Sequence, residues 1–164
     1  MTAAKAKVET QVYRVYIKAA PEVIWNAITD KEWTAKYGYA CPAEFDLRAG
    51  GAFRITANPA MKQHGAPDVI IDGEVIESDP PRKLVQTWRA LFSPDIAAEG
   101  FTKLTWEIVP QPSGSCMVTV THELENAPAL AKIVSGQDQS AGGGWAWILS
   151  DLKTLLETGS AIGM

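Results

Sequence analysis

The chain has 164 residues, 46% hydrophobic and 21% charged, with a formal net charge of −4, the size and composition of one globular domain rather than a disordered or fibrous chain. Its Lys and Arg are spread without a dominant basic run, which argues against nucleic acid as a partner. No stretch approaches the roughly 18 consecutive apolar residues of a membrane span, and Cys41 and Cys116 lack the spacing of a disulfide framework or metal site, so a cytoplasmic protein without metal or cofactor is expected.

Residues 1–9 are polar and read as a disordered tail. Gln11–Lys18 follows as a strand, with Tyr13, Val15 and Ile17 on one face and Arg14 and Lys18 on the other. Pro21 stands where a first helical turn tolerates its missing N–H, and the charge of Glu22 suits the helix N-terminus. Val23, Ile24, Ala27 and Ile28 keep a helical period with Trp25 at its edge. Asp30 can cap a second short helix carrying Trp33 and Tyr37.

From residue 43 the period becomes two. Glu44–Arg48 (Phe45 and Leu47 alternating) and Ala52–Asn58 (Phe53 and Ile55 alternating) flank Gly50-Gly51 as a hairpin. Pro59–Pro67 reads as a loop, and strands are expected at Val69–Glu77, Lys83–Phe92, Phe101–Val109 and Met117–Leu124. Prolines fall between these runs rather than inside them, as a sheet requires. The Ser93–Gly100 segment reads as a separator. Beyond Asn126 the pattern is helical. Pro128 can open it and Gly142-Gly143-Gly144 interrupts it as a hinge. Trp145, Ile148, Leu149, Leu152, Leu155 and Leu156 then form an apolar stripe with Asp151, Lys153 and Glu157 off it, and Gly159 is a C-cap. That helix is a rod of roughly 20 Å.

This order is an α+β pattern: a first strand, two short helices, a run of six strands and a long last helix. A six- to seven-stranded antiparallel meander twists and curves. Its concave face needs a cover, and only the last helix is long enough. The expected architecture is a curved sheet wrapped around that helix, with an apolar space between them. The lining is expected from Trp25, Trp33 and Tyr37 in the short helices and from Phe53, Ile55 and Ile71. Gln86, Trp88, Leu104 and Trp106 would continue it on the central strands, Val120 and His122 on the last strand, and Trp145, Leu149 and Leu152 on the helix. Aromatic and aliphatic walls of this kind suit small-molecule pockets, although the same rings can simply fill a core.

A combination of motifs carries a resemblance. Ala20-Pro21-Glu22-Val23-Ile24-Trp25 follows the first strand, and Gly73-Glu74-Val75-Ile76-Glu77 precedes Asp79-Pro80-Pro81-Arg82-Lys83-Leu84-Val85. Val118-Thr119-Val120-Thr121-His122-Glu123 and the terminal Gly144-Trp145 with Leu152 and Leu156 complete the set. Over residues 10–158 the chain resembles the homologue family of the heat-shock-protein-90 ATPase activator C-terminal domain, within the START-like, or SRPBCC, superfamily of helix-grip proteins. The resemblance implies a single helix-grip domain over 10–158, with 159–164 as a C-terminal tail. Relatives include chaperone co-activators, hydrophobic-ligand carriers and polyketide cyclases, so fold leaves activity open.

Three roles follow. The first is binding of an apolar or aromatic small molecule in the cavity. The second is a cyclase- or dehydratase-like enzyme using His122, which shares a strand face with Val118 and Val120, with help from Gln86. The alternative for His122 is a histidine bonded at the strand end near Glu123 and Glu125. No other catalytic constellation appears: Gly142-Gly143-Gly144 lacks a phosphate-loop setting, and the serines lack GxSxG. The third is a chaperone-interacting module presenting outer charges such as Arg14, Lys18 and Glu77. About ten residues precede the first strand, whereas the eukaryotic co-chaperone of the family name has an additional N-terminal domain, which ranks this role behind the others. Glu74 and His64 are expected in solvent, Arg54 and Arg89 in surface ion pairs, and pairing into a homodimer is left open.

Overall fold

The computed structural model of the chain describes residues 9–163. The first strand, β1 (Thr10–Ile17), turns Tyr13, Val15 and Ile17 inward. It pairs antiparallel along its length with a strand far along the chain, from Thr10 opposite Glu123 to Ile17 opposite Cys116. The tail expected over 1–9 lies outside the described residues except for Glu9. That residue already extends the pairing, since the Leu124 N–H donates to its carbonyl at 2.8 Å.

Helix α1 (Pro21–Thr29) has no side-chain cap and opens on Pro21 and Glu22. It buries Ile24, Trp25, Ala27 and Ile28. Val23, expected on that stripe, is 43% exposed. It sits about 100° round the helix from Ile24, and Trp25, expected at the edge, takes the inner position. Asp30 ends α1 and starts α2 (Lys31–Thr34), its carboxylate accepting the Glu32 N–H at 2.8 Å.

Six strands follow: β2 (Ala43–Phe45), β3 (Ala52–Thr56), β4 (Val69–Asp79), β5 (Lys83–Ala90), β6 (Thr102–Pro110) and β7 (Cys116–Glu123). They form a seven-stranded antiparallel sheet in the order β1-β7-β6-β5-β4-β3-β2. Strand β2 is shorter than the expected Glu44–Arg48 because Arg48 folds back on Asp46, donating its N–H to the Asp46 carbonyl at 2.8 Å. Leu47 is consequently exposed. Two segments expected to be irregular contain helices, α3 (Pro59–Gln63) and α4 (Pro94–Ala97). Each starts on a capping side chain followed by proline: Asn58 accepts the Met61 N–H at 2.8 Å and Ser93 the Ile96 N–H at 3.4 Å. At four or five residues they are too short to show a helical period.

The sheet bends at defined places. Val75 faces Gln86, yet Glu77 already faces Val85, so Ile76 is an extra residue on β4 and points outward. Such bulges increase twist and curvature. Close by, a Cβ on Gly73 would lie 2.0 Å from the Thr87 carbonyl oxygen, so only glycine lets β4 and β5 approach at this bend.

The chain closes with α5 (Pro128–Val134), a 3₁₀ turn at Gln139–Ala141 and α6 (Gly144–Thr158), which ends on Gly159 at φ 87°. Helix α6 crosses the concave face. At its start Trp145 meets Trp88 and Trp106, with ring centroids 6.4 and 5.6 Å away. Near its end Lys153 Nζ donates to the Tyr16 carbonyl at 2.6 Å and Glu157 accepts the Lys18 N–H at 2.9 Å. No helix among the described residues is long and apolar enough to cross a membrane.

Two further expectations are corrected. Asp151, placed off the apolar stripe, is 1% exposed. Arg54 forms no ion pair among the described residues, although it faces Asp72 across β3 and β4. Arg89 occupies that carboxylate with two bonds of 2.9 and 2.7 Å. The glycine triplet, where the chain passes from the 3₁₀ turn into α6, is also tightly packed: a Cβ on Gly142, at φ 96°, would sit 2.6 Å from the Tyr39 ring. Gly142→Ala is expected to cost about 2 kcal/mol, from backbone strain and this clash. Urea unfolding at neutral pH measures it, and a loss under about 0.5 kcal/mol would show that the contact yields freely.

Candidate ligand-binding cavity

Between the concave face, the start of α6 and the Ile133–Ala141 segment lies a cavity of about 510 Å³. Of the residues expected to line it, Tyr37, Phe53, Ile55 and Ile71 do so on one side, and Gln86, Trp88, Leu104, Trp106 and Trp145 on the other. The structure brings these nine together from one loop, four strands and one helix.

Six expected lining residues lie elsewhere. Trp25 is buried on α1, which packs on β6 and β2 and turns Ile28 rather than Trp25 to the cavity. Trp33 is half-buried under the Lys36 ammonium, 4.3 Å from its ring. Val120 and His122 are fully buried on β7, one strand beyond the wall. Leu149 and Leu152 follow Trp145 along α6, where the helix runs toward β1 and leaves no gap.

Some of the other lining groups escape sequence reasoning because they come from loops and the short helices. Tyr39 and Cys41 follow α2, Met61 belongs to α3, and Phe92 and Ile96 flank or sit in α4. The capping pairs Asn58-Pro59 and Ser93-Pro94 were the available signal. Phe92, Asp138, Ser140 and Ala141 are exposed members of the lining and mark where the cavity meets solvent. There Asp138 is held below the usual carboxylate range, first by the Ser140 hydroxyl at 2.6 Å and then by the Ser140 N–H.

Behind the tryptophans runs a buried polar chain. The Trp145 indole N–H donates to His122 Nδ1 at 3.1 Å. An indole can only donate, so Nδ1 is the acceptor and the ring proton sits on Nε2. His122 Nε2 lies 2.8 Å from the Thr102 hydroxyl, which donates onward to the Trp88 carbonyl at 2.7 Å. Every member is satisfied. Burial pushes the His122 pKa down to about 3, so the ring stays neutral. Its partners are Thr102 and Trp145, not Glu123 or Glu125. His122 therefore orients the Trp145 ring from behind the wall, and acid–base chemistry inside the cavity finds no group in it.

The Tyr37–Tyr39 segment is pinned to α6. Asp151 accepts the Gly38 N–H at 2.8 Å and, from the chain end, the Ile162 N–H at 2.6 Å. The Tyr39 hydroxyl accepts the Gly144 N–H at 3.1 Å, while burial raises its pKa. Tyr37 donates to the Ala27 carbonyl at 2.9 Å, and burial pushes its hydroxyl well up. Gln86 differs from all of these: it is 1% exposed and its side-chain oxygen has no hydrogen-bond partner.

The family described as activator of Hsp90 ATPase homolog 1-like protein matches residues 18–157. No curated protein sequence matches the chain. Among solved structures, protein MLL2253 from Mesorhizobium loti is similar with a TM-score of 0.67 at 23% identity, over 91% of this chain and 97% of that one. The Aha1 dimer from Colwellia psychrerythraea gives a TM-score of 0.64 at 19% identity, over 92% and 98%. PFC0360w, an HSP90 activator from Plasmodium falciparum, gives 0.62 at 20% identity, over 90% and 96%. At these identities the likeness is one of fold.

Proposed function

This chain belongs to the activator of Hsp90 ATPase homolog 1-like family, and from that membership together with the cavity we propose that it binds an apolar or aromatic small molecule between the sheet and α6. The carrying observation is a space of about 510 Å³ walled by Trp88, Trp106 and Trp145. Pockets for such ligands measure about 300–1,000 Å³, with few polar groups on a mostly apolar wall. The enzyme reading built on His122 has less behind it, because both ring nitrogens are engaged and the ring lies outside the cavity wall. We take residues 10–158 as the functional unit and, on the two free buried thiols of Cys41 and Cys116, a reducing cytoplasm as its setting.

Titration with a panel of lipids, flavonoids and polyketides tests this through tryptophan emission. Three of the six tryptophans line the cavity, so an occupant is expected to quench a large share of the signal saturably. A flat response across the whole panel would remove the proposal's support.

A second reading, partner binding on the outer face, draws on one observation. Tyr16, Met117 and Val109 stand in one cross-strand row, with Tyr16 and Val109 exposed. Pull-down with a chaperone, and the molar mass in solution for a homodimer, decide between partners.

A further inference from the structure

Gln86 lies on β5, the fourth strand from either edge of the sheet, with Val75 and Leu104 as its cross-strand neighbours. A side chain this central would ordinarily be apolar. Its side-chain oxygen is instead an unmatched acceptor in a wall of Trp88, Trp106, Leu104 and Ile71. Native interiors rarely leave such a group unpaired, and where one persists it calls for a role. No Lys, Arg or His lines the cavity among the described residues, and its one charged lining group, Asp138, is exposed at the opening. An ionised ligand group placed beside Gln86 would be buried without a counter-charge, at high cost.

We propose that the ligand is an uncharged aromatic or polycyclic molecule bearing a hydroxyl that donates a hydrogen bond to Gln86 Oε1. This rests on the reading of the cavity as a binding site and adds the chemistry of what enters it. The hydroxyl meets the acceptor that the free protein leaves unsatisfied. The rings stack among the tryptophans, and a molecule lacking the donor leaves Gln86 as it was. Sites built to pair a ligand's polar group discriminate against the analogue lacking it more sharply than apolar pockets discriminate by size.

The test is equilibrium dialysis of the full chain against 2-hydroxyfluorene, 2-methylfluorene, 2-methoxyfluorene and fluorene-2-carboxylate. In the native protein the hydroxyl compound is expected to bind about tenfold more tightly than the methyl compound, one hydrogen bond's worth. The methoxy compound, which only accepts, should behave like the methyl one, and the carboxylate should bind more weakly than the hydroxyl compound. In Gln86→Leu, close to Gln in volume, the hydroxyl preference should vanish while 2-methylfluorene binds at least as well. Gln86→Met serves the same comparison should the leucine variant fold poorly. Equal affinity for hydroxyl and methyl compounds, a methoxy or carboxylate compound matching the hydroxyl, or a preference that survives loss of Gln86 would each overturn the proposal while leaving the cavity reading intact. Failure of all four to bind the native protein would sink the cavity reading and this inference with it.

Discussion

His122→Ala is expected to lower the unfolding free energy by about 4 kcal/mol and the melting temperature by roughly 10 °C. The side chain is fully buried, so its loss opens a void under Trp145. It also strips the Trp145 N–H of its acceptor and Thr102 of a partner. His122→Phe separates the two contributions: its somewhat larger ring leaves no void but accepts nothing, and should cost about half as much. Acid provides an independent check. The folded pKa of about 3 lies below the ordinary value of 6.5, so the unfolded chain takes up this proton first. The stability that a neutral His122 contributes is therefore complete above about pH 6.5 and is lost as pH falls toward 3. Between about pH 5 and 6, above the usual carboxylate range, wild-type stability should fall by up to 1.4 kcal/mol per pH unit more than that of His122→Phe. Parallel pH profiles, or the assigned His122 ring signal titrating near 6.5 by NMR, would show that the ring is not held as described.

Asp151→Ala is the second large effect, a loss of about 3 kcal/mol. One carboxylate accepts two backbone N–H groups, from Gly38 and Ile162, and bonds to a charged acceptor are the stronger kind. Without it both amides are orphaned, the first of them buried. Asp151→Asn keeps one carbonyl oxygen and should lose about half as much. Because Tyr37, Gly38 and Tyr39 line the cavity, the alanine variant should also bind occupants more weakly. Hydrogen exchange at the Gly38 and Ile162 amides reads the effect directly. Protection unchanged at both positions would mean that the carboxylate does not hold them.

The same two residues show what the sequence could and could not say. Alternation along Val118, Val120 and His122 put the histidine inward, and it is inward. Alternation names a face, however, not a partner, and the nearest acids in sequence, Glu123 and Glu125, were the wrong ones. The true partners sit on β6 and α6. Asp151 lies three residues after Ile148 and four before Leu155, so helical geometry alone would have turned it inward. Its charge argued outward, and the backbone donors that satisfy it come from a loop and from the chain end. Trp88, Trp106 and Trp145 were legible as cavity wall because each sits on a long element with a clear period. Met61 and Ile96 were not, because α3 and α4 are shorter than the repeat that would reveal them.

Strand β1 owes all its pairing to β7. About a hundred residues must be closed into a loop before those hydrogen bonds form, an entropic cost that local helices never meet. During synthesis this strand emerges well before the β7 partner it docks on, while the β2–β7 meander can zip through near neighbours. The edge that greets solvent first is thus expected to be the last stitched in, and a truncated nascent chain ending before Cys116 should leave it exposed to proteases and to other chains.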